Sequence, residues 1–465
     1  MEPATVNEFC EKDIIAWLER NALREAVDTF HESCGKIRTA GGGGNSRCLD
    51  VILCSRSPEQ WIGATFACIV MDQRVWFASP TWKDGEWKQV EGIVQPRLIL
   101  GTDGPKTIFG DSREEDGTTL KEPGLMIPTG GSSGNIKFAW HTADTLTRAA
   151  LGMSRFFFGR AMRMGDFSYR CELPLWHISG WMQVIRAFLS DSVWMHAHSP
   201  EDLAKNDEGT WWLSLVPTQL ARLLESGELD ELRKTDYVVI GGGACPEHLL
   251  RKAIRDGLTL WVTYGMTETA GMVAGKCVRS EDDLDAGADI FPHCKLSTRS
   301  LADQSSEENW GEICIEAESL CLGYNGVRRE KEDSSWVFAT GDLGYFDSGK
   351  RLHVRGRLDA LLNTGGEKVF PLEVQRAVCE HPGISDCRVF GVDDAEWGSK
   401  IACVYTTTGG RPVSVEELRP FIALRLSAYK IPKIWRQVKK IPYDAKGKID
   451  TSQLVALVNE EVEKS

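Results

Sequence analysis

A glycine- and hydroxyl-rich segment offers the most specific chemistry in this sequence. The apolar run Leu125–Pro128 leads into Thr-Gly-Gly-Ser-Ser-Gly at residues 129–134, and Lys137 follows three positions later. Glycines permit positive φ and close backbone approach, so consecutive N–H groups can converge on an anion. The spacing is not that of a Walker A loop, and the chain contains no GxGxxG. The segment favours a phosphate-binding loop, with a flexible surface loop as the alternative.

Five further strings combine small residues with carboxylates or bases. They are Gly241–Pro246 (GGGACP), Tyr264–Glu268 (YGMTE), Thr340–Leu343 (TGDL), Val354–Asp359 (VRGRLD) and Pro442–Asp450 (PYDAKGKID). The first two follow apolar runs that are typical of strands. Taken singly, each string is more often a structural turn, a surface ion pair or a solvated side chain. Their meaning therefore depends on their order along the chain.

In this order the strings resemble the motifs of the adenylate-forming acyl-CoA ligases, the AMP-binding superfamily. The phosphate loop of that family runs Thr/Ser-Ser-Gly-Ser/Thr-Thr-Gly-x-Pro-Lys, and residues 129–137 match it except at Gly130, Ser133 and Ile136. The resemblance extends from about Val51 to Asp450, with an amino-terminal region that we expect to be shortened. It implies an enzyme that uses ATP, Mg²⁺ and CoA to convert a small carboxylic acid into a thioester.

The resemblance also implies a role for each matching residue. The residues implied to bind the phosphates are Thr129, Gly130, Gly131, Ser132, Ser133, Gly134 and Lys137. Those implied to lie against adenine are Gly242, Gly243, Ala244, Tyr264 and Gly265. Thr267 would contact the α-phosphate, and Glu268 would hold Mg²⁺, a hard cation that prefers oxygen ligands. Asp342, expected at a tight turn, would accept hydrogen bonds from the ribose hydroxyls, and Arg357 would support it.

The carboxyl-terminal motif concerns the chemistry itself. A carboxylate is a poor electrophile because its leaving group would be oxide, and joining it to AMP supplies a better one. Its attack on the α-phosphorus needs positive charge, which Mg²⁺, Lys137 and Lys448 are predicted to supply. By resemblance, the small domain then rotates about Asp359 and withdraws Lys448. Gly365 and Gly366 would next leave room for the pantetheine arm of CoA.

The acyl site is predicted around Pro174–Met182, where His177 matches the position of a gate; a satisfied core histidine is the alternative. Together with Ser214–Leu224, this stretch is similar to the o-succinylbenzoate–CoA ligases of menaquinone and phylloquinone biosynthesis. The spectator carboxylate of that acid needs a cationic or multi-donor partner. The candidates are Ser179, Arg186, Thr218, Gln219 and Arg222. No Asp occupies the ammonium-binding stretch of amino-acid-activating domains, which disfavours a peptide-synthetase function.

Elements of an α/β fold must position these residues. Short apolar runs alternate with helical stretches such as Pro58–Met71 and Thr142–Phe158, which predicts mostly parallel sheets covered by helices. From about Arg355 the composition changes: the sequence is first rich in glycine and charged residues and, toward its end, rich in basic residues. We therefore predict a large amino-terminal ATP- and acyl-binding domain at 1–358 and a small, mobile α+β domain at 359–465 that carries Lys448.

Composition excludes several other classes of protein. The chain has 465 residues, a formal net charge of −13 and a pI near 5.3, which argues against nucleic-acid binding. No apolar run is long enough to span a bilayer, and Trp61–Met71 is better explained as a buried helix. Its 14 cysteines are scattered without a CxxC pair, and no signal peptide is evident. We expect a cytoplasmic protein with reduced thiols; a homo-oligomer is compatible with the sequence.

Two alternatives to an o-succinylbenzoate–CoA ligase remain open at this point. One is an adenylating enzyme for another aryl or acyl acid, with CoA or a carrier protein as acceptor. The other is a non-catalytic nucleotide-binding relative. The presence of every charged residue that the family uses argues against the latter; these are Lys137, Glu268, Asp342, Arg357 and Lys448.

Overall fold

The computed structural model describes most of the chain. The described residues are 9–41, 48–104, 122–130, 135–160, 162, 165, 167–196, 210–227, 229–301, 310–329, 337–365, 367–394, 397–442 and 451–462. Within them, no helix combines the length and the apolar character needed to cross a membrane.

Helices occur throughout the described chain. They are α1 (Glu11–Arg20), α2 (Arg24–Ala40), α3 (Pro58–Val70), α4 (Asp84–Glu91), α5 (Ala143–Phe158), α6 (Ile178–Leu189), α7 (Pro217–Ser226), α8 (Asp230–Lys234), α9 (Glu247–Arg255), α10 (Pro371–Cys379), α11 (Val415–Ala423) and α12 (Thr451–Val462). The start of α3 shows how the sequence sets a boundary: the Ser57 side chain accepts a hydrogen bond from the Gln60 N–H, and Pro58 occupies the first turn. The prediction of a buried helix in this region is confirmed.

The strands of the described residues form four sheets. They are β1 (Asp50–Leu53), β2 (Arg74–Phe77), β3 (Leu98–Leu100), β4 (Gly124–Gly130), β5 (Ile136–His141), β6 (Ser168–Cys171), β7 (Trp194–His196), β8 (Trp211–Leu215), β9 (Tyr237–Ile240), β10 (Leu260–Met266), β11 (Gly271–Val278), β12 (Asp289–Ile290), β13 (Cys294–Arg299), β14 (Gly311–Ala317), β15 (Gly323–Tyr324), β16 (Val327–Arg328), β17 (Phe338–Phe346), β18 (Leu352–Arg357), β19 (Leu362–Thr364), β20 (Glu367–Val369), β21 (Ile384–Asp394), β22 (Gly398–Thr407) and β23 (Ile434–Gln437).

The first two sheets have parallel centres and antiparallel edges. Their orders are β16-β15-β5-β4-β2-β1-β3 and β12-β11-β10-β9-β8-β6-β7. Strands β1 to β4 pair in parallel, as do β6 to β10, which confirms the expected α/β class. A third sheet, β13-β14-β17-β18, is antiparallel throughout and was not predicted.

Side chains alternate across the parallel strands and fill both faces of each sheet. Val51 and Leu53 of β1 join the largest core cluster, which also holds residues of α3, α5, α6 and the second sheet. Ile52 and Cys54 face the opposite way and pack with the Trp87 side chain of α4. Because both faces are covered, these strands consist of continuous apolar runs.

The carboxyl-terminal sheet has a core of its own. It contains β20-β19-β22-β21 with β23 paired to β22, and α10 and α11 pack on it through Val374, Val378, Leu418 and Ile422. Its first strand begins at Leu362, shortly after β18 ends. A smaller carboxyl-terminal unit is thus confirmed, whereas the division at 358/359 stays a prediction.

Candidate active site

The second sheet gathers two of the predicted nucleotide-binding strings at one edge. Strands β8, β9 and β10 run parallel, with Leu215 paired to Ile240 and Ile240 to Val262. The glycine string at 241–244 follows directly after β9, and Tyr264 lies two positions beyond Val262 on β10. Carboxyl ends of parallel strands share an edge where ligands bind in open α/β sheets. The two strings predicted to contact adenine therefore lie side by side.

The three glycines of this string differ in whether the surrounding structure would accept a side chain. A Cβ on Gly241 would lie 2.9 Å from Oγ1 of Thr263, and Gly242 has a φ of +75°. Both positions thus disfavour a side chain within the protein itself. Gly243 is different, because it is exposed and a Cβ there would meet nothing within 4 Å. A small residue at 243 is not required by internal packing.

The Tyr264–Glu268 string ends strand β10 and forms the turn into β11. A Cβ on Gly265 would lie 2.0 Å from the carbonyl oxygen of Gly271, so only glycine fits this close approach. Thr267 and Glu268 stand in a single 3₁₀ turn, Thr267–Thr269. The string places a phenol, a hydroxyl and a carboxylate within five residues at the sheet edge.

A buried histidine that the sequence analysis did not identify holds this turn. Nε2 of His141 lies 2.7 Å from the carbonyl oxygen of Thr267, and its Nδ1 lies 3.1 Å from Oγ1 of Thr145. His141 is fully buried, and burial lowers its pKa to about 4. The ring is therefore neutral and joins β5 to the 3₁₀ turn. Its position seven residues after the glycine loop's last glycine, at the end of an apolar strand, gave little indication of this role.

Tyr324 connects Glu268 with Lys137. Its phenolic oxygen lies 3.0 Å from Oε1 of Glu268, and Nζ of Lys137 lies 5.9 Å from the centre of its ring. The backbone N–H of Cys321 also donates to the carbonyl oxygen of Glu268 at 2.8 Å. The predicted metal ligand and the predicted phosphate-binding lysine are thus brought to the same place. Tyr324 itself lies in none of the motifs that the sequence analysis used.

Tyr264, Asp342 and Arg357 form a hydrogen-bonded group. The Tyr264 hydroxyl donates to Oδ2 of Asp342 at 2.8 Å, and Nη1 of Arg357 donates to Oδ1 at 3.1 Å. Arg357 also donates to Asp359, at 3.3 Å from Nε to Oδ1. Burial raises the pKa of the Asp342 carboxyl, and its two partners oppose this rise. The predicted ribose-binding pair is assembled across the β17–β18 register.

The position of Asp342 corrects the expectation of a tight turn. Asp342 lies inside strand β17, directly after Gly341, which has a φ of +72°. A register shift follows between Leu343 and Gly344. The glycine that resembled a turn residue instead distorts an antiparallel strand, and this distortion directs the carboxylate toward Tyr264.

The predicted phosphate loop begins and ends on a hairpin. Strands β4 and β5 are antiparallel, with Thr129 paired to Lys137 and Gly130 paired to Ile136. The four residues between them that were predicted to grip phosphate lie outside the described residues; they are Gly131, Ser132, Ser133 and Gly134. The hairpin places the two ends of the loop together, next to Tyr324.

Two further predicted residues also lie outside the described residues, namely Lys448 and Gly366. Gly365 is described, has a φ of +62°, and a Cβ on it would lie 2.8 Å from Cε3 of Trp397. Its backbone N–H donates to the Trp397 carbonyl oxygen at 2.9 Å. The positive φ and the close approach to Trp397 explain why a glycine occupies this position in the small unit. Its contact with pantetheine stays a prediction.

The predicted acyl-site residues differ in their surroundings. His177 is exposed at the start of α6, and Ser179 is half-buried in its first turn. The Gln219 side chain accepts from the Val216 N–H at 3.0 Å and so caps α7. Arg222, one turn later, is exposed. Their roles toward an acid stay predictions.

Arg186 stands apart from the other candidates because it is buried. It is 4% exposed, in α6, and its Nε has no hydrogen-bond partner among the described residues. Its guanidinium carbon lies 5.9 Å from the centre of the Trp212 ring, and a Cβ on Gly271 would lie 3.9 Å from its Nη2. Burial lowers its pKa to about 10, so it remains charged at neutral pH. A buried cation of this kind is suited to an anionic ligand.

Known proteins resemble this chain over most of its length. The AMP-binding enzyme family matches residues 67–325, and the AMP-binding enzyme C-terminal domain matches residues 373–448. A probable 2-succinylbenzoate–CoA ligase of Mycobacterium tuberculosis is 31% identical over 345 residues, which cover 71% of this chain and 83% of that protein. A 2-succinylbenzoate–CoA ligase of Bacillus cereus is 28% identical over 74% of this chain and 71% of its own length.

Solved structures show the same fold. The o-succinylbenzoate CoA synthetase of Bacillus subtilis, in complex with its acyl-adenylate intermediate, superposes with a TM-score of 0.70 at 21% identity, covering 91% of this chain and 92% of that chain. ATP-bound MatB of Rhodopseudomonas palustris gives a TM-score of 0.75 at 18% identity and covers 92% of both chains. With the family matching more than half of its residues, this chain belongs to the AMP-binding enzyme family.

Proposed function

We propose that this chain is an ATP-dependent acid–CoA ligase that adenylates o-succinylbenzoate and passes the acyl group to CoA. The nucleotide part of the proposal rests on Tyr264 and Glu268 at one edge of the second sheet and on Asp342 of the third sheet, which accepts a hydrogen bond from Tyr264. The choice of acid rests on Arg186, the buried arginine whose Nε has no partner among the described residues. The curated relatives named for this activity support the same choice.

The first half-reaction joins the acid to AMP. An oxygen of the aliphatic carboxylate attacks the α-phosphorus, the bond to the β-phosphate oxygen breaks, and pyrophosphate leaves. Lys137 would hold the phosphates, with Lys448 at the α-phosphate and Thr267 beside it. Glu268 fits Mg²⁺, since its carboxylate is fixed by Tyr324 next to the hairpin that bears Lys137. When bound, Mg²⁺ would neutralise charge on the phosphate oxygens.

Asp342 and Arg357 would meanwhile fix the ribose, which holds the α-phosphorus in line with the acid. Adenine would lie against Tyr264 and the open surface at Gly243.

The second half-reaction forms the thioester. The sulfur of CoA attacks the acyl carbon, the bond from that carbon to the AMP oxygen breaks, and AMP leaves with the electron pair. We propose that the small carboxyl-terminal unit changes its orientation between the steps and so replaces Lys448 by the loop of Gly365 and Gly366. Activation of o-succinylbenzoate would place the enzyme in menaquinone or phylloquinone biosynthesis. A cytoplasmic location is part of the proposal and is supported by the scatter of the 14 cysteines, which include no CxxC pair.

Arg186 would recognise the carboxylate that is not activated. Burying a carboxylate without a cationic partner is costly, and an arginine can bind it through two parallel hydrogen bonds. Among the described residues, no group pairs with Nε of this buried arginine. An acid with a second carboxylate would therefore gain more from this site than an acid with one.

A coupled AMP-release assay with a panel of acids tests the proposal. The panel contains o-succinylbenzoate, benzoate, coumarate and a medium-chain fatty acid, each with ATP, Mg²⁺ and CoA. We expect release of AMP with o-succinylbenzoate at least tenfold faster than with the other acids. Omitting CoA should leave a trapped acyl-adenylate and released pyrophosphate. Turnover of another acid alone would reject the substrate, and no pyrophosphate release with any acid would reject the enzyme class.

A further inference from the structure

Three side chains that could bind a metal meet where the two units of the chain touch. They are His248 of α9, Cys379 of α10 and Asp386 of β21, and one ligand atom of each lies within 4.8 Å of the others. His248 belongs to the region matched by the AMP-binding enzyme family, whereas the other two belong to the matched carboxyl-terminal domain. None of the three has a role in the proposed reaction.

One potential ligand atom of this set has no hydrogen-bond partner among the described residues. Nδ1 of His248 is buried and has no hydrogen-bond partner among the described residues. A buried polar atom in this situation is costly unless something binds it. Sγ of Cys379 lies 3.4 Å from Sγ of Cys387, so a second cysteine sulfur is in contact with the first.

Asp386 is held in place by its neighbours. Its Oδ1 accepts from the Cys387 N–H at 2.8 Å and from Nη1 of Arg388 at 2.6 Å. Such bonds orient a carboxylate ligand and are common around protein metal sites. Arg388 also offsets part of the negative charge that the carboxylate and, once metal is bound, the thiolate of Cys379 bring to the site.

We propose that His248, Cys379 and Asp386 form a Zn²⁺ site that links the two units of the chain. A nitrogen, a sulfur and a carboxylate oxygen are all common ligands of Zn²⁺, and three protein ligands leave a fourth position for water. Ligands about 2.0 to 2.3 Å from Zn²⁺ stand roughly 3.3 to 3.8 Å apart in tetrahedral geometry. Because the three ligand atoms lie within 4.8 Å of one another, binding would bring each pair closer by no more than about 1.5 Å.

Binding would also displace a proton from Cys379. Contact with Cys387 and burial raise the pKa of the Cys379 thiol, so the thiol is protonated without metal. Zn²⁺ deprotonates a coordinating thiol, and the proton passes to solvent as the sulfur–zinc bond forms. Because the ligands come from both units, the bound ion would hold α9 against α10 and stabilise the arrangement seen here.

Direct counting of bound Zn²⁺ tests the site without any assay of catalysis. The full-length protein is stripped with a chelator, kept reduced, and titrated with ZnCl₂ in competition with a chromophoric chelator. We expect the unmodified protein to bind one equivalent more than His248→Gln, Cys379→Ser and Asp386→Asn, each of which should lose that equivalent or bind it at least tenfold more weakly. Cys10→Ser and His31→Gln are matched controls at exposed positions and should keep it.

Two further measurements separate the outcomes. With Co²⁺ in place of Zn²⁺, thiolate-to-cobalt absorption should appear in the unmodified protein and be lost in Cys379→Ser. Hydrogen exchange should show Zn²⁺-dependent protection of residues 247–255 and 371–379 that is absent in His248→Gln, while circular dichroism confirms that each variant is folded. Equal binding in all proteins overturns the site. Loss in Cys379→Ser with full binding in His248→Gln overturns the link between the units.

Zn²⁺ at this position has a consequence that rests on the proposed function. If the small unit changes orientation between the half-reactions, a bound ion should slow complete turnover at least severalfold in the unmodified protein and much less in His248→Gln. Binding without this inhibition would reject the change of orientation and leave the metal site established.

Discussion

The phenolic oxygen of Tyr324 lies 3.0 Å from Oε1 of Glu268, although the two residues are 56 positions apart in the chain. Burial and the neighbouring Glu268 raise the pKa of Tyr324, so its hydroxyl stays protonated and donates to the carboxylate. The ring of the same tyrosine faces Nζ of Lys137. One aromatic residue therefore contacts both Glu268, the proposed Mg²⁺ ligand, and Lys137, the proposed phosphate-binding residue.

Tyr324→Phe should separate positioning of Glu268 from general stability. A hydrogen bond to a charged group contributes about 1.5 to 3 kcal/mol, so we expect pyrophosphate exchange to fall roughly 10- to 100-fold. Because Glu268 would hold Mg²⁺ less well, the Mg²⁺ concentration for half-maximal rate should rise. Tyr345→Phe is the matched control, since the ring of Tyr345 stacks on His353. An unchanged Mg²⁺ requirement would contradict the assigned role.

Two glycines should respond differently to the same substitution. Gly265→Ala places a Cβ 2.0 Å from the Gly271 carbonyl oxygen, so we expect it to lower the free energy of unfolding by more than about 2 kcal/mol. Gly243→Ala has open space and should leave that free energy within about 0.5 kcal/mol. If adenine lies against residue 243, the second variant should still bind ATP several times more weakly. Urea denaturation and calorimetric ATP titration measure the two effects, and equal ATP affinity in Gly243→Ala would reject the adenine contact.

Burial of His141 predicts a pH dependence of stability. Its native pKa is about 4 against an ordinary 6.5, so between these values the unfolded chain binds a proton that the native protein does not. The contribution is fully present above pH 6.5 and is lost as the pH falls toward 4, by up to about 3 kcal/mol. His293 has the same shift from burial and adds to this loss.

Urea denaturation at pH 7.5, 6.5, 5.5 and 4.5 measures this dependence. His141→Gln should make the curve flatter below pH 6.5, whereas the exposed His31→Gln should leave it parallel to that of the unmodified protein. A parallel curve for His141→Gln would show that His141 is not neutral in the folded state.

Arg186→Met tests recognition of the spectator carboxylate. Methionine keeps most of the buried volume and removes the charge. We expect kcat/KM for o-succinylbenzoate to fall about 100-fold, in line with loss of about 3 kcal/mol from a charge-assisted contact. The analogue without the ring carboxylate, 4-oxo-4-phenylbutanoate, should be affected less than threefold. Arg24→Met, at an exposed position of α2, is the control. Equal loss for both acids would assign Arg186 to structure alone.

Lys448→Ala should affect only the first half-reaction. Removal of a positive charge at the α-phosphate is expected to slow adenylate formation by about 100- to 1,000-fold. Thioester formation from supplied acyl-adenylate and CoA should stay within about threefold, since Lys448 would then have left the site. Lys446→Ala serves as a neighbouring control. Comparable losses in both half-reactions would refute the two-orientation mechanism.

Much of the fold followed from local pattern. Apolar runs predicted strands such as β9, Tyr237–Ile240, without error, and helical periodicity predicted α5 to within one residue. The strand at Asp342 was missed, because a glycine next to an aspartate is typical of turns. Gly341 adopts the positive φ that this pattern suggested, but neighbouring strands keep the segment in a sheet. Tertiary pairing thus overrode the local preference.

The sequence by itself determined the family, the order of its motifs and the types of side chain available for ATP. It could do so because chemistry near a phosphate restricts residue type and local spacing. Only the tertiary structure decided that Tyr324 connects Glu268 to Lys137, that His141 holds the Thr267 carbonyl, and that Arg186 is buried while Arg222 is exposed. These relationships join residues far apart in the chain, and they depend on sheet register and on which helix face is covered. Neither the sheet register nor the covered helix face can be inferred from the spacing of residues in the sequence.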